Sequence, residues 1–257
     1  MRKVRLIGIG AGHPDQVTVE AVRALNDVDV FIVADKTGGK GTDNADLLRI
    51  RDEICARHIT GDYRVIGVTD PERDRSPSAY ESAVEDWHEA RSAAYEQVMR
   101  DEVGDDEVVG FLVWGDPSLY DSTIRIVERI LARGSLTFEY DVVPGISAIQ
   151  VLAARHKLVL NGIGEPITVT TGRRLREAVD EGRDNIVVVL NSHLDAKQLV
   201  GDGTPWDIWW GANLGTADER LVAGPLADVI GEIEDARDEV KAAHGWVMDT
   251  YLLRRQT

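Results

Sequence analysis

Short apolar runs alternate with amphipathic stretches along the 257 residues of this chain. Positions 4–9 and 28–34 read as buried strands with a helix at 18–25 between them, the alternation of a parallel α/β sheet. The pattern continues through helix 43–57, strand 64–68, a long helix 78–103, strand 107–113, helix 121–133 and strand 136–143. In the long helix Tyr80, Val84, Trp87, Ala94, Tyr95 and Val98 fall near one face, which predicts core packing rather than a cofactor box. Its Asp and Glu residues are assigned to the solvated face.

A helix at 146–155 is followed by a stretch, 156–166, that is rich in Gly and Asn and lacks periodicity, and the domain boundary is placed there. The second half offers strand 167–171, helix 174–181, strand 186–190, a short helix at 194–200, strands 206–211 and 220–222, helix 226–243 and a last strand at 246–253. The reading is therefore α/β throughout, with two unlike domains, 1–155 and 156–257.

Composition narrows the class. A formal charge of -16, with Lys only at positions 3, 36, 40, 157, 197 and 241, argues against a nucleic-acid binder, which needs clustered cations. Cys55 is the only cysteine, so an intrachain disulfide is excluded. No apolar run approaches the roughly 20 residues needed to span a bilayer, and no signal peptide is visible. A soluble cytoplasmic protein that makes no membrane contact is expected. No Cys or His cluster has metal-ligand spacing, so no metal is expected.

The most informative stretch is Trp114-Gly115-Asp116-Pro117-Ser118-Leu119-Tyr120, where an apolar strand runs out before a helix. Ligand sites in open α/β sheets collect at such carboxyl ends. Gly115 lets a ligand approach the backbone and Pro117 stops the strand, although Gly-Asp-Pro is also an ordinary turn. Gly8-Ile9-Gly10-Ala11-Gly12 follows the first strand and precedes a helix, the context of a phosphate loop, with Asp35 at the end of the second strand. A nicotinamide oxidoreductase is thus one reading. Against it, His13 stands where the third glycine of the fingerprint belongs, and Pro14-Asp15 intervenes with a carboxylate that would repel a pyrophosphate.

Taken together, Gly8-Ile9-Gly10-Ala11-Gly12-His13-Pro14-Asp15 with Thr18, Trp114-Gly115-Asp116-Pro117, and Val143-Pro144-Gly145-Ile146-Ser147-Ala148 resemble the tetrapyrrole methylases, in the family's order. Gly211-Ala212-Asn213-Leu214-Gly215-Thr216 and Glu219-Arg220 agree with that resemblance. It implies a homodimer whose subunits have two unlike α/β domains, with S-adenosylmethionine in the cleft between them. Narrower matches lie at Val33-Ala34-Asp35-Lys36, Leu119-Tyr120-Asp121-Ser122-Thr123, Thr170-Thr171-Gly172-Arg173-Arg174-Leu175 and Gly245-Trp246-Val247-Met248-Asp249-Thr250-Tyr251. They resemble the family member that methylates precorrin-5 at C1 and releases acetate, to give precorrin-6A. A methylase acting at another ring carbon is the nearest alternative.

The resemblance implies cofactor contacts from His13, Pro14, Trp114, Gly115, Asp116, Leu119, Tyr120, Ser147 and Ala148 in the first half. In the second it implies Leu190, Asn191, Ala212, Asn213 and Leu214. Methylation at a ring carbon requires loss of a proton, and Asp35 is the candidate base, as relatives carry an Asp at nearly this point. Arg173 and Arg174, with Lys36, are the candidates to grip the carboxylates of the macrocycle, since guanidinium pairs with carboxylate through two hydrogen bonds. For acetate release Tyr120, Asp121, His156 and Glu165 all remain open as activators of water.

Overall fold

A computed structural model of the chain describes residues 1–35, 45–71 and 80–256, with side chains over 1–34, 48–71 and 84–256. Two compact units divide the chain, Met1–Ile146 and Ser147–Thr257.

The first unit is built on strands β1 (Lys3–Gly8), β2 (Val30–Asp35), β3 (Arg64–Thr69), β4 (Val108–Val113) and β5 (Glu139–Val143). They form one parallel sheet in the order β3-β2-β4-β1-β5. The helices α1 (Val19–Asn26), α2 (Ala45–His58), α3 (Tyr80–Asp101) and α4 (Thr123–Arg133) cover both of its faces. On one face Val4, Leu6, Val30, Ile32, Val109 and Phe111 pack with Tyr95 and Met99 of α3 and with Ile126, Val127 and Ile130 of α4. On the other, Ile7, Phe31 and Val143 pack with Ala21, Ala24 and Leu25 of α1 and Ile50 and Ile54 of α2. Continuous apolar strands are the consequence of burial on both sides. Cys55 lies in this core, and burial, with Asp52 acting the same way, pushes its thiol up to about 11. It is a packing residue.

One expectation for α3 is corrected. Glu96 does not face solvent: it is buried and receives Arg133 at 2.6 Å and Arg100 at 2.9 Å. Arg133 also reaches Glu89 at 2.6 Å, so the last turn of α4 is tied to α3 by charge as well as by apolar contact. A helical pattern shows which face is apolar, but not that an acid on its edge meets an arginine from another helix.

The second unit contains α5 (Ala148–His156), β6 (Thr168–Thr171), α6 (Leu175–Asp180), β7 (Asn185–Val189), β8 (Trp206–Ala212), β9 (Arg220–Pro225), α7 (Leu226–His244) and β10 (Asp249–Arg255). Its sheet runs β6-β7-β10-β8-β9, with β6 and β7 parallel and the other pairs antiparallel. Trp206, Ile208, Trp210, Tyr251 and Leu253 form a core with Leu175 of α6 and with Leu226 and Ile233 of α7. The division falls at 146/147, nine residues before the boundary at 155/156 expected from the loss of periodicity. The reason is α5, which packs on β8, β9 and β10. His156 Nε2 lies 3.0 Å from the Trp210 carbonyl, and Arg155 pairs with Glu219 at 2.7 Å. No helix among the described residues is long and apolar enough to cross a membrane.

Removing the buried acid leaves Arg133 with Glu89 but without its buried partner, so Glu96→Ala should cost about 1–3 kcal/mol. Urea denaturation should show a lower midpoint with an unchanged slope.

Candidate active site

Three neighbouring strands, β4, β1 and β5, end together, and glycines stand at or just past their carboxyl ends. A Cβ on Gly8 would lie 2.6 Å from the Gly145 nitrogen and 2.9 Å from the Gly115 carbonyl oxygen. One on Gly145 would lie 2.0 Å from that same oxygen. Only glycine permits this approach. Gly10 and Gly115, with φ of 80° and 63°, exchange backbone hydrogen bonds, of which Gly115 N–H to the Gly10 carbonyl is 2.8 Å.

Asp116 locks the arrangement. Its Oδ2 accepts the Gly145 N–H at 2.9 Å, and its Oδ1 accepts the Ser118 N–H at 2.9 Å together with the Ser118 hydroxyl. Partial burial pushes the carboxyl up, but the Ser118 hydroxyl and the two backbone N–H donors outweigh it and hold Asp116 below the ordinary aspartate value. Both oxygens of this expected cofactor contact are thus occupied by the protein's own donors.

Around this frame stand the other first-unit candidates, and Ser147 and Ala148 open the second unit. His13 is exposed and its Nδ1 accepts the Asp15 N–H at 3.1 Å, opening a single 3-10 turn that contains buried Pro14. Helix α1 begins only at Val19, capped by the Thr18 hydroxyl, so no helix N-terminus abuts the glycines and the dinucleotide reading loses its phosphate site. Trp114 and Leu119 are half-buried, whereas Tyr120 is exposed with φ 55°. Ser147 is buried at the start of α5, donating its N–H and hydroxyl to Gln150 Oε1 at 2.7 and 2.6 Å, and Ala148 follows it half-buried. Asp35 ends β2 in register with Thr69, at the same end of the sheet. The Asp35 side chain and the whole of Lys36 lie outside the described residues.

In the second unit the remaining candidates also gather at one sheet end. The carboxyl ends of β6, β7 and β8 and the start of β10 lie side by side, because β10 runs antiparallel to β7 and β8. Leu190 is exposed with φ 52°, and Asn191 next to it is buried. Asn191 and Trp210 donate to Asp249 Oδ2 at 2.9 and 3.0 Å, and Arg237 approaches the same oxygen at 3.2 Å. Burial nevertheless raises the Asp249 carboxyl, against these donors. Ala212 and Leu214 are buried; Asn213, with φ 47°, accepts the Met248 N–H on its side-chain oxygen at 3.1 Å. Arg173 and Arg174 are exposed beyond β6, and Arg174 is held by Glu177 through hydrogen bonds of 2.8 and 2.7 Å. Asp249 stands within the Gly245–Tyr251 match, but an acid in a strand and Arg237 on a helix carry no local signal of meeting.

Of the four candidate water activators, His156 faces the Trp210 carbonyl and Asp121 Oδ1 accepts the Thr123 N–H at 2.6 Å. Glu165 and Tyr120 are exposed. Among the described residues no group of three or more His, Cys, Asp or Glu is placed to hold a metal.

The family model of tetrapyrrole (corrin/porphyrin) methylases matches residues 3–230. The chain is a tetrapyrrole methylase. Among its relatives, a precorrin-6A synthase (deacetylating) from Sinorhizobium sp is 44% identical over 256 residues, covering 99% of this methylase and 96% of that protein. The crystal structure of a cobalamin synthesis related protein, CobF, from Corynebacterium diphtheriae superimposes with a TM-score of 0.83 at 36% identity, covering 100% of both chains. A uroporphyrin-III C-methyltransferase from Thermus thermophilus, complexed with S-adenyl homocysteine, shares the fold at a TM-score of 0.56 and 19% identity, over 98% of this chain and 92% of that one.

Asp116 gives the methylase a testable acid limb. Its carboxyl is depressed in the folded state, so the stability it contributes is fully present well above the ordinary value of 3.8 and is lost as pH falls through the lower folded value. Asp116→Asn should melt below the wild type near neutrality, and the gap should close at acid pH; a gap independent of pH would show that the carboxylate is not the locking group.

Proposed function

We propose that this methylase transfers the methyl group of S-adenosylmethionine to C1 of precorrin-5 and releases the two-carbon fragment at C20 as acetate, with water joining, to give precorrin-6A in aerobic cobalamin biosynthesis. The observation that carries the reading is 44% identity across 99% of the chain to a relative of that activity.

The residues present suit such a donor. A bound S-adenosylmethionine supplies an activated methyl whose in-line transfer depends on position more than on reactive side chains. Gly8, Gly115 and Gly145 keep side-chain bulk away from the strand ends where His13, Pro14, Trp114, Gly115, Leu119 and Tyr120 gather, and Ser147 and Ala148 follow directly in sequence. We assign cofactor contact to these residues, with Asp116 holding the loop. In the second unit we assign it to Leu190, Asn191, Ala212, Asn213 and Leu214. Asp35, at the end of β2, takes the role of base that removes the proton lost on methylation. Arg173 and Lys36 take carboxylates of the substrate, and Arg174 joins them if the macrocycle displaces Glu177. The working enzyme is taken as a cytoplasmic homodimer.

Incubation with precorrin-5 and labelled methyl donor should give a corrinoid that has gained one labelled methyl and lost the two-carbon fragment, together with free acetate. Methyl gain without acetate would instead identify an enzyme acting at another ring carbon. S-adenosylhomocysteine at a hundredfold excess over its dissociation constant should stabilise the fold by about 2.7 kcal/mol, and NADH should not. Asp35→Asn should retain that stabilisation while losing turnover by about a hundredfold or more.

A further inference from the structure

At the carboxyl end of the first sheet Arg51, Arg91 and Asp70 lie outside every role assigned above. Arg51 of α2 stands with its guanidinium 5.7 Å from the ring of Trp114, the residue that follows β4. Its Nε is buried with no hydrogen-bond partner, and among the described residues no carboxylate pairs with it. Burial pushes the guanidinium down; Tyr95 and Asp121 oppose that shift, and the positive charge of Arg91 adds to it.

Arg91 of α3 is differently placed. It pairs with Asp70, just past β3, at 3.1 Å, donates to the Tyr95 hydroxyl at 3.0 Å and lies 4.7 Å from the ring of Trp87. Asp70 is engaged by charge alone, since its buried Oδ1 accepts no hydrogen bond among the described residues. Asp121, the carboxylate that acts on Arg51, accepts the Thr123 N–H. Among the described residues two cations stand here, and the acid that forms an ion pair serves Arg91.

A partly buried guanidinium without a counter-charge is unfavourable unless something completes it. Trp114 supplies a ring face, which attracts the cation but offers no acceptor oxygen. The missing partner is an anion with paired oxygens, which suits the fork of donors on arginine. We propose that Arg51 binds a carboxylate of the substrate, with Arg91 and Asp70 holding the pocket and Trp114 linking it to the loop that Asp116 fixes. The inference rests on the methylase reading above. The carboxylate has two sources, an acidic side chain of the macrocycle or the acetate it releases.

The test compares wild type with Arg51→Met and Arg51→Lys, measuring S-adenosylhomocysteine affinity, melting temperature, KM and kcat for precorrin-5, and macrocycle affinity without methyl donor by quenching of tryptophan fluorescence. Loss of a hydrogen bond to a charged group should weaken the macrocycle by about tenfold or more in Arg51→Met, with part recovered in Arg51→Lys. S-adenosylhomocysteine should bind as before, and the melting temperature should hold or rise, because an uncompensated charge has been removed. If acetate is the occupant, kcat and product inhibition by acetate fall while KM holds. Arg51→Met with unchanged KM, kcat, macrocycle affinity and acetate inhibition overturns the proposal, as does an equal loss of S-adenosylhomocysteine and macrocycle binding in both variants, which would mark Arg51 as structural. Wild-type enzyme inert towards precorrin-5 would count against the functional reading; an active wild type matched by Arg51→Met would count against this inference alone.

Discussion

The first unit depends on the near-contact of three backbones. Gly8, Gly115 and Gly145 follow adjacent parallel strands, and the space between them is too small for even one methyl group. Glycine loses more conformational entropy on folding than other residues, and it brings no side chain to bury. What it gives instead is a fixed relation between three loops, secured by a carboxylate that accepts N–H groups from two of them. A side chain that fastens backbone to backbone keeps strand ends rigid while leaving their outer surface to a ligand.

The second unit reaches a comparable result by other means. Asp249 is buried, and Asn191, Trp210 and Arg237 converge on one of its oxygens, tying the start of β10 to the residues after β7, to β8 and to α7. Leu190, Leu194 and Asn213 take left-handed conformations beside this network, a geometry that L-residues adopt only when surrounding contacts hold them there. In both units the chemistry of the side chains is used to shape backbone. That is consistent with a reaction whose donor is already activated and whose rate is governed by alignment.

Net charge misleads about the substrate. A chain of -16 would repel a polycarboxylate at long range, yet binding is decided by local fields within a few ångströms, since surface charge is screened over about 8–10 Å at ordinary salt. The exposed Arg173 beyond β6 and the half-buried Arg51 beside Trp114 are local exceptions to an acidic surface. Of the two, Arg51 has the stronger field, because partial burial removes the water that would screen it.

Much of this was legible in the chain. The strand and helix order followed from apolar periodicity, since strands buried on both faces must be continuously apolar, and the loops at Gly8, Gly115 and Gly145 stood out because glycine and proline restrict backbone in ways a sequence displays. Residues 190–191 and 212–214, named through resemblance, lie at one end of the second sheet. The sequence alone did not reveal that Asp116 accepts the Gly145 N–H across 29 positions, that Glu96 of a solvated-looking helix face is buried under Arg133, or that α5 belongs with the strands following it. Local propensity and periodicity depend on neighbours three or four residues away, so the sequence by itself determined the elements and the family. Which charges meet, and which finds no acid among the described residues, depends on elements brought together from distant parts of the chain, and only the tertiary structure decided that.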